Sequence, residues 1–284
     1  MSVWSSGICH PRNSSPQIAG TIHDDAVAAD LGFRGGAVAG SIHLEQFSTV
    51  LRDAFGPAWF ERGSLDLFFT HALTDQEPVE ALLESDHDPR FATALMRTPE
   101  GTTVASGSAT VGDPTSPSAL SIRDRRPVDP GTLRIVRDLP LGEELPPVEV
   151  TPDAEGQFAR VREGWCTSPL PWYDGPSLWG GPICSPLTLF RAMAGPVMAP
   201  VGRILGNVIG LYGAIEIRNL SGPVFVDARL LVTSRITDVS ETPQTEVFWT
   251  DIEARPAGDQ MASTLASITL MTRIVKASSP QYRD

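Results

Sequence analysis

The stretch Gly35-Gly-Ala-Val-Ala-Gly-Ser-Ile-His-Leu-Glu-Gln-Phe47 combines paired glycines, a run of small residues and an apolar helix-like segment. Gly180-Gly-Pro-Ile-Cys-Ser-Pro-Leu-Thr-Leu-Phe190 repeats that order 145 residues later. Working outward, Gly63-Ser-Leu-Asp-Leu67 is answered by Gly213-Ala-Ile-Glu-Ile217 at an offset of 150, and Pro78-Val79 by Pro223-Val224 at 145. Arg97-Thr-Pro-Glu-Gly101 and the following Val104–Val111 are answered by Ala254-Arg-Pro-Ala-Gly258 and Met261–Ile268, at 157. Each match is weak alone. Four in one order, with offsets that drift as loop insertions make them drift, predict two copies of one unit of about 130 residues.

Each copy reads as a first strand, a glycine-rich turn, one helix, and three or four strands with alternating apolar residues, as in Ser64–Phe69 and Ala214–Leu220. In the first copy Ile42, Phe47, Val50, Leu51 and Phe55 recur at helical spacing and Gly56-Pro57 stops the run; in the second, Leu187, Leu189, Phe190, Met193 and Ala194 do so and Gly195-Pro196 is the expected stop. Phe91–Arg97 and Glu246–Ala254 each reach a Pro-x-Gly turn and return, which predicts a hairpin. The Pro-, Ser- and charge-rich stretch between the copies reads as a crossover linker, giving a first unit over 1–115, a linker over 116–140 and a second unit over 141–284. Two such units would pair sheet edge to sheet edge as a covalent pseudo-dimer, which could itself pair further as a homodimer.

Gly and Pro, 25 each in 284 residues, exceed ordinary use and favour many short elements over a long-helix bundle. With 22 Lys and Arg against 34 Asp and Glu, the chain lacks the basic footprint of a nucleic-acid or anionic-membrane binder. No apolar run is long enough for a membrane helix, and the N-terminus has neither a basic nor an apolar targeting region, so a cytoplasmic protein is expected. Cys9, Cys166 and Cys184 are odd in number, show no metal-ligand spacing, and are expected to be reduced and packed. No phosphate-binding loop, dinucleotide fingerprint or metal motif occurs.

The stretch Ile22-His-Asp-Asp25 through Gly32-Phe-Arg-Gly-Gly36 to Gly40 resembles the signature of MaoC-like dehydratases and (R)-specific enoyl-CoA hydratases. It is more similar still to a bacterial branch of hotdog proteins with Gly-Phe-Arg-Gly-Gly and a later Trp-x-Glu-Arg-Gly, here Trp59–Gly63. The resemblance covers roughly residues 17 to 111, is only architectural over the second copy, and implies an α+β double hotdog, two antiparallel sheets each wrapping a central helix. It implies a lyase of the hydratase/dehydratase type acting on an α,β-unsaturated or 3-hydroxyacyl thioester, with acyl-CoA or acyl carrier protein as substrate and no cofactor. A hotdog thioesterase, a specialised lyase or cyclase, and a non-catalytic double hotdog that binds a hydrophobic ligand or a protein partner are the rival readings. The family's Asp five residues before its catalytic His is replaced by Ile18, and its His-Gly before the helix by Gly40-Ser41.

The resemblance makes His23 the general acid/base, suited by an ordinary pKa near 6.5, and Asp25, or Asp24, the residue that orients it. Gly40 and Ser41, at the expected helix N-terminus, would offer backbone N–H groups to an oxyanion. Asp24 reads equally as the N-cap of a short helix over Asp25–Leu31 ended by Gly32. Arg34 and His43 are candidate substrate contacts, though a solvated arginine and a packed helix histidine are equally ordinary. Trp172, Tyr173 and Trp179 line a pocket or form a proline-stiffened cap. His10, His71 and His87 stand in ordinary surface or strand contexts, and no histidine follows His87, which confines imidazole chemistry to the first copy.

Overall fold

The computed structural model describes residues 1–14, 20–113, 116–259 and 261–282. The first half runs β1 (Ser2–Cys9), α1 (Asp25–Asp30), α2 (Gly40–Glu45), α3 (Ser48–Phe55), α4 (Ala58–Arg62), β2 (Gly63–Phe69), β3 (Val79–Ser85), β4 (Phe91–Arg97) and β5 (Thr103–Val111). The second runs β6 (Glu144–Val150), α5 (Ala154–Arg162), α6 (Pro186–Leu205), β7 (Gly210–Asn219), β8 (Leu230–Glu241), β9 (Thr245–Pro256) and β10 (Ala266–Val275). All ten strands form one antiparallel sheet in the order β1-β3-β4-β5-β2-β7-β10-β9-β8-β6. The order reads the same from either edge once the two halves are superposed.

The seam between β2 and β7 fixes the symmetry. Asp66 lies opposite Glu216, Leu65 opposite Ile217 and Leu67 opposite Ile215, a register centred on the Asp66/Glu216 pair and consistent with an offset of 150. Because side chains alternate across a strand, Leu65, Leu67, Ile215 and Ile217 enter the main core with α2, α3 and α6, and Asp66 and Glu216 face the other way. That outer face is covered by the chain between β5 and β6: Leu120 packs on Ala214, Val247, Trp249 and Met271. The same connection then buries Leu133, Ile135 and Val136 against Val201, Phe248 and Ile274.

Three sequence expectations change. The second helix does not stop at Gly195-Pro196 but continues through Pro196 and Pro200 to Leu205. Each proline removes one helical N–H, yet Val197 and Val201 are buried on the core face, and that burial offsets the lost bonds. The first central helix is in two pieces, α2 and α3, ended as expected at Gly56, which adopts φ 66°. Finally, the match of Pro78-Val79 to Pro223-Val224 is one of composition only. Val38 N–H donates to Leu73 as Cys184 N–H donates to Val224, so Pro223-Val224 corresponds to Ala72-Leu73.

Candidate active site

Asp24 accepts N–H bonds from Ala26 and Val27 and caps α1, which makes Ile22–Asp25 a fixed turn. Asn13 Nδ2 donates to the His23 carbonyl at 2.9 Å and Ala37 N–H to the Ile22 carbonyl at 2.9 Å, tying that turn to the glycine stretch. Gly36 is required at this contact, since a Cβ there would collide with the His23 carbonyl. His23 Nδ1 stands 2.6 Å from the Ala37 carbonyl oxygen. A carbonyl only accepts, so Nδ1 carries the proton and Nε2 holds the lone pair. The ring lines a cavity of about 720 Å³ that crosses the seam.

The first unit supplies His23, Gly40, His43 and Phe69 to the cavity; the second supplies Met198, Gly202 and Leu205 of α6 and Tyr212, Thr272 and Arg273 of the sheet. Gly40 lets Phe69 close on the start of α2, where a Cβ would lie 2.9 Å from the ring. His43 is buried, its Nδ1 has no hydrogen-bond partner, and burial lowers its pKa to about 4, so it is neutral at physiological pH. Its ring centroid lies 5.9 Å from that of Phe69. No Asp or Glu lines the cavity among the described residues.

The structure thus brings His23, Gly40 and His43 to one cavity and puts buried Ser41 beside them in the first turn of α2. It does not bring the other candidates there. Asp25 accepts the Gly36 N–H at 2.7 Å, so the group that orients His23 is the Ala37 carbonyl rather than this carboxylate. Asp24 is the helix cap. Arg34 is tied to Glu77 at 3.0 Å and to the Ala72 carbonyl and so pins a loop, while its partner His71, assigned an ordinary context from sequence, lines the cavity. Trp172 and Trp179 pack edge to face on each other and around Phe60, and Tyr173 is buried with its hydroxyl donating to Ser48. These three form a cap, not a pocket. Ile18 lies outside the described residues. Sequence reading missed Tyr212 and Thr272, which carry no motif and line the cavity only through strand register.

No family model matches the chain, and no curated protein matches it in sequence. Solved structures do match. One described as a MaoC domain protein dehydratase, from Chloroflexus aurantiacus J-10-fl, superposes with a TM-score of 0.60 at 11% identity, covering 96% of this chain and 94% of that one. A conserved hypothetical protein of Mycobacterium tuberculosis with a double hotdog fold gives 0.57 at 13% identity, over 96% and 95% of the two chains. A MaoC-like dehydratase gives 0.56 at 14% identity, over 96% and 97%.

The fold is a double hotdog.

The pseudo-twofold gives the cavity an equivalent position in the second unit, and there the space is filled. Ile183 N–H donates to the Trp172 carbonyl as Ala37 N–H donates to that of Ile22, so Tyr173 stands where His23 does, Pro186 where Gly40 does and Leu189 where His43 does. Pro186 and Leu189 border a void of only about 10 Å³, closed by Trp59 and Phe60 of α4. Gly63 admits Trp59, whose ring a Cβ there would strike, and Glu61 accepts from Trp179 Nε1 at 2.8 Å. The Trp59–Gly63 motif therefore serves to plug the second site. The three cysteines are buried and unbridged, and no described helix is long and apolar enough to cross a membrane.

Proposed function

We propose that this double hotdog is a hydratase/dehydratase acting on an α,β-unsaturated or 3-hydroxyacyl thioester or a related small acyl compound. The observation that carries the reading is His23, whose Nδ1–H is fixed on the Ala37 carbonyl so that Nε2 is the basic nitrogen on a roomy cavity of mixed apolar and polar lining. In the hydration direction Nε2 takes a proton from water as its oxygen bonds to the β-carbon; the electron pair of the double bond moves to the α-carbon and carbonyl oxygen, and the imidazolium returns the proton to the α-carbon. Neutral His43 and the first-turn amides of Gly40 and Ser41 stand beside this path as donors to the carbonyl oxygen, where negative charge grows. Dehydration is the reverse. The thioesterase alternative needs a carboxylate to activate water against the acyl carbonyl, and no described lining residue supplies one.

The test is turnover of crotonyl-CoA and longer enoyl-CoA substrates by wild type and His23→Ala. The expected result is measurable hydration lowered by about 10²- to 10⁴-fold in the variant. Unchanged turnover in His23→Ala, or none in wild type at any chain length, would remove the reading.

A further inference from the structure

Arg34 stands two residues before Gly36 with its side chain 57% exposed, and an ion pair at that exposure, here with Glu77 at 3.0 Å, contributes little to stability. The guanidinium has a second partner. Arg34 Nη2 lies 2.8 Å from His71 Nε2, the shortest of its contacts, and 3.2 Å from the Ala72 carbonyl. A guanidinium only donates, so Nε2 holds a lone pair and the His71 proton is on Nδ1. That Nδ1 has no hydrogen-bond partner among the described residues, and the ring lines the cavity.

Two imidazoles on one cavity are thereby wired in opposite senses. His23 gives its N–H to the Ala37 carbonyl at 2.6 Å and keeps a lone pair; His71 gives its lone pair to Arg34 and keeps an N–H. Both are tied to one short run, because Val38 N–H, next to the carbonyl that holds His23, donates to the Leu73 carbonyl at 2.8 Å. The segment carrying His71 is fixed almost residue by residue: the N–H groups of Thr70 and His71 both donate to the Val104 carbonyl, Ala72 accepts from Arg34, and Thr74 N–H donates to Glu77 at 2.9 Å. A donor held this way loses little freedom when a ligand meets it. The filled half lacks the device. With Ala72-Leu73 matching Pro223-Val224 and Ala37 matching Ile183, Gly222 stands at the position of His71 and Gly180 at that of Arg34. Guanidinium and imidazole occur together where the cavity is open and are missing together where the space is closed.

We propose that His71 is a substrate-contacting residue whose Nδ1–H donates to an uncharged oxygen of the acyl ligand, its carbonyl or 3-hydroxyl, and that Arg34 is its positioning residue. The inference rests on the proposed function only for the identity of the ligand. The donor orients the acyl group against His23 Nε2 and exchanges no proton, so the proton balance stays on His23 alone.

Nitrogen NMR of the histidine rings tests this on the wild-type chain without turnover, the His71 signals being assigned by their absence from whichever of His71→Asn and His71→Leu folds. Near neutral pH His71 is expected to show a protonated Nδ1 and an unprotonated Nε2, a pattern that Arg34→Met, by releasing Nε2, turns into a mixture of tautomers. An arginine that only braced the loop would leave the pattern unchanged. Adding 3-hydroxyoctanamide is expected to shift the Nδ1 signal; a shift with octanamide as well assigns the contact to the carbonyl, and a shift with the hydroxyamide alone assigns it to the 3-hydroxyl. His71→Leu is expected to weaken binding of the shifting amide about tenfold, and His71→Asn, whose side-chain N–H can stand at the Nδ1 position, to keep most of it. A protonated Nε2 in wild type, or His71 signals that neither amide moves up to its solubility limit, overturn the proposal. The two readings fail separately. His71 shifts in a protein without enoyl turnover support the donor against the hydratase; turnover with the His71 signals unmoved does the reverse.

Discussion

At His43 a buried imidazole nitrogen lacks a hydrogen-bond partner, a condition that costs on the order of 1–3 kcal/mol. Its counterpart in the second unit is Leu189, which packs without that cost. Replacing His43 by leucine is therefore expected to leave stability unchanged or raise it by about 1 kcal/mol, while lowering hydration turnover about 100-fold through loss of a donor to the carbonyl oxygen. Chemical denaturation and steady-state kinetics on the same variant check both halves; a loss of stability with full turnover would make His43 a packing residue. The sign of its pH effect is fixed. Because burial lowers the folded-state pKa to about 4 from 6.5, the unfolded chain takes up the proton first, and stability present above pH 6.5 is lost as pH falls toward 4. H43L should flatten that acid limb. His23 was legible in the sequence because Ile-His-x-Asp carries it. Its orienting partner was not, since that partner is the Ala37 main chain, fourteen residues on, and a carbonyl leaves no mark in a residue pattern.

Elements meet across the seam through two buried polar contacts. Asp66 and Glu216 oppose each other on the outer face, with Ser108 donating to Asp66 from its side chain and its N–H, and Arg218 pairing with Glu216 at 2.9 Å. Burial, with Glu216 as a lesser cause against the lowering effect of Ser108, raises the Asp66 pKa from 3.8 to about 7. An acid whose folded pKa is raised holds its proton longer when folded, so stability is full below pH 3.8 and falls as pH climbs to about 7. Asp66→Asn, which keeps the oxygen that Ser108 needs, is expected to stabilise the protein at pH 8 by at most on the order of 4 kcal/mol, and to have little effect at pH 4. Urea midpoints at the two pH values decide it. On the inner face, Arg160 of α5 pairs with Glu45 of α2, which also accepts from Ser185 at the N-cap of α6. Arg160→Ala leaves that carboxylate buried and unpaired and is expected to cost about 3–5 kcal/mol, read from the same urea curves. Strands were the legible elements, because alternation survives any neighbour. The course of α6 through two prolines was not, since local propensity is overridden by apolar burial that only the assembled core reveals.

The whole molecule is symmetric in backbone and asymmetric in site. The repeat was legible in sequence because the seam, with Asp66 and Glu216 on its centre, preserves one register at one offset. Further along, Ser108 lies opposite Asp66 as Thr269 lies opposite Glu216, an offset of 161 where sequence matching gave 157, because the longer β9–β10 connection accumulates insertions. The plug was invisible to that matching. Trp59 and Phe60 belong to the first unit, yet the void they close is bordered by Ile183, Cys184, Pro186 and Leu189 of the second, a relation that only the crossed packing of two units creates. The asymmetry makes a stoichiometric prediction. One small acyl ligand is expected to bind per chain, counted by calorimetry or native mass spectrometry, and two equivalent sites would show that the Trp59 plug yields. Trp59→Ala removes a fully buried side chain and should cost about 3–5 kcal/mol. It opens space beside Tyr173 and Leu189, not beside imidazoles, so ligand counts in that variant can rise to two while turnover per chain stays at or below the wild-type value. A gain in turnover would show instead that chemistry at this fold needs the cavity and not His23.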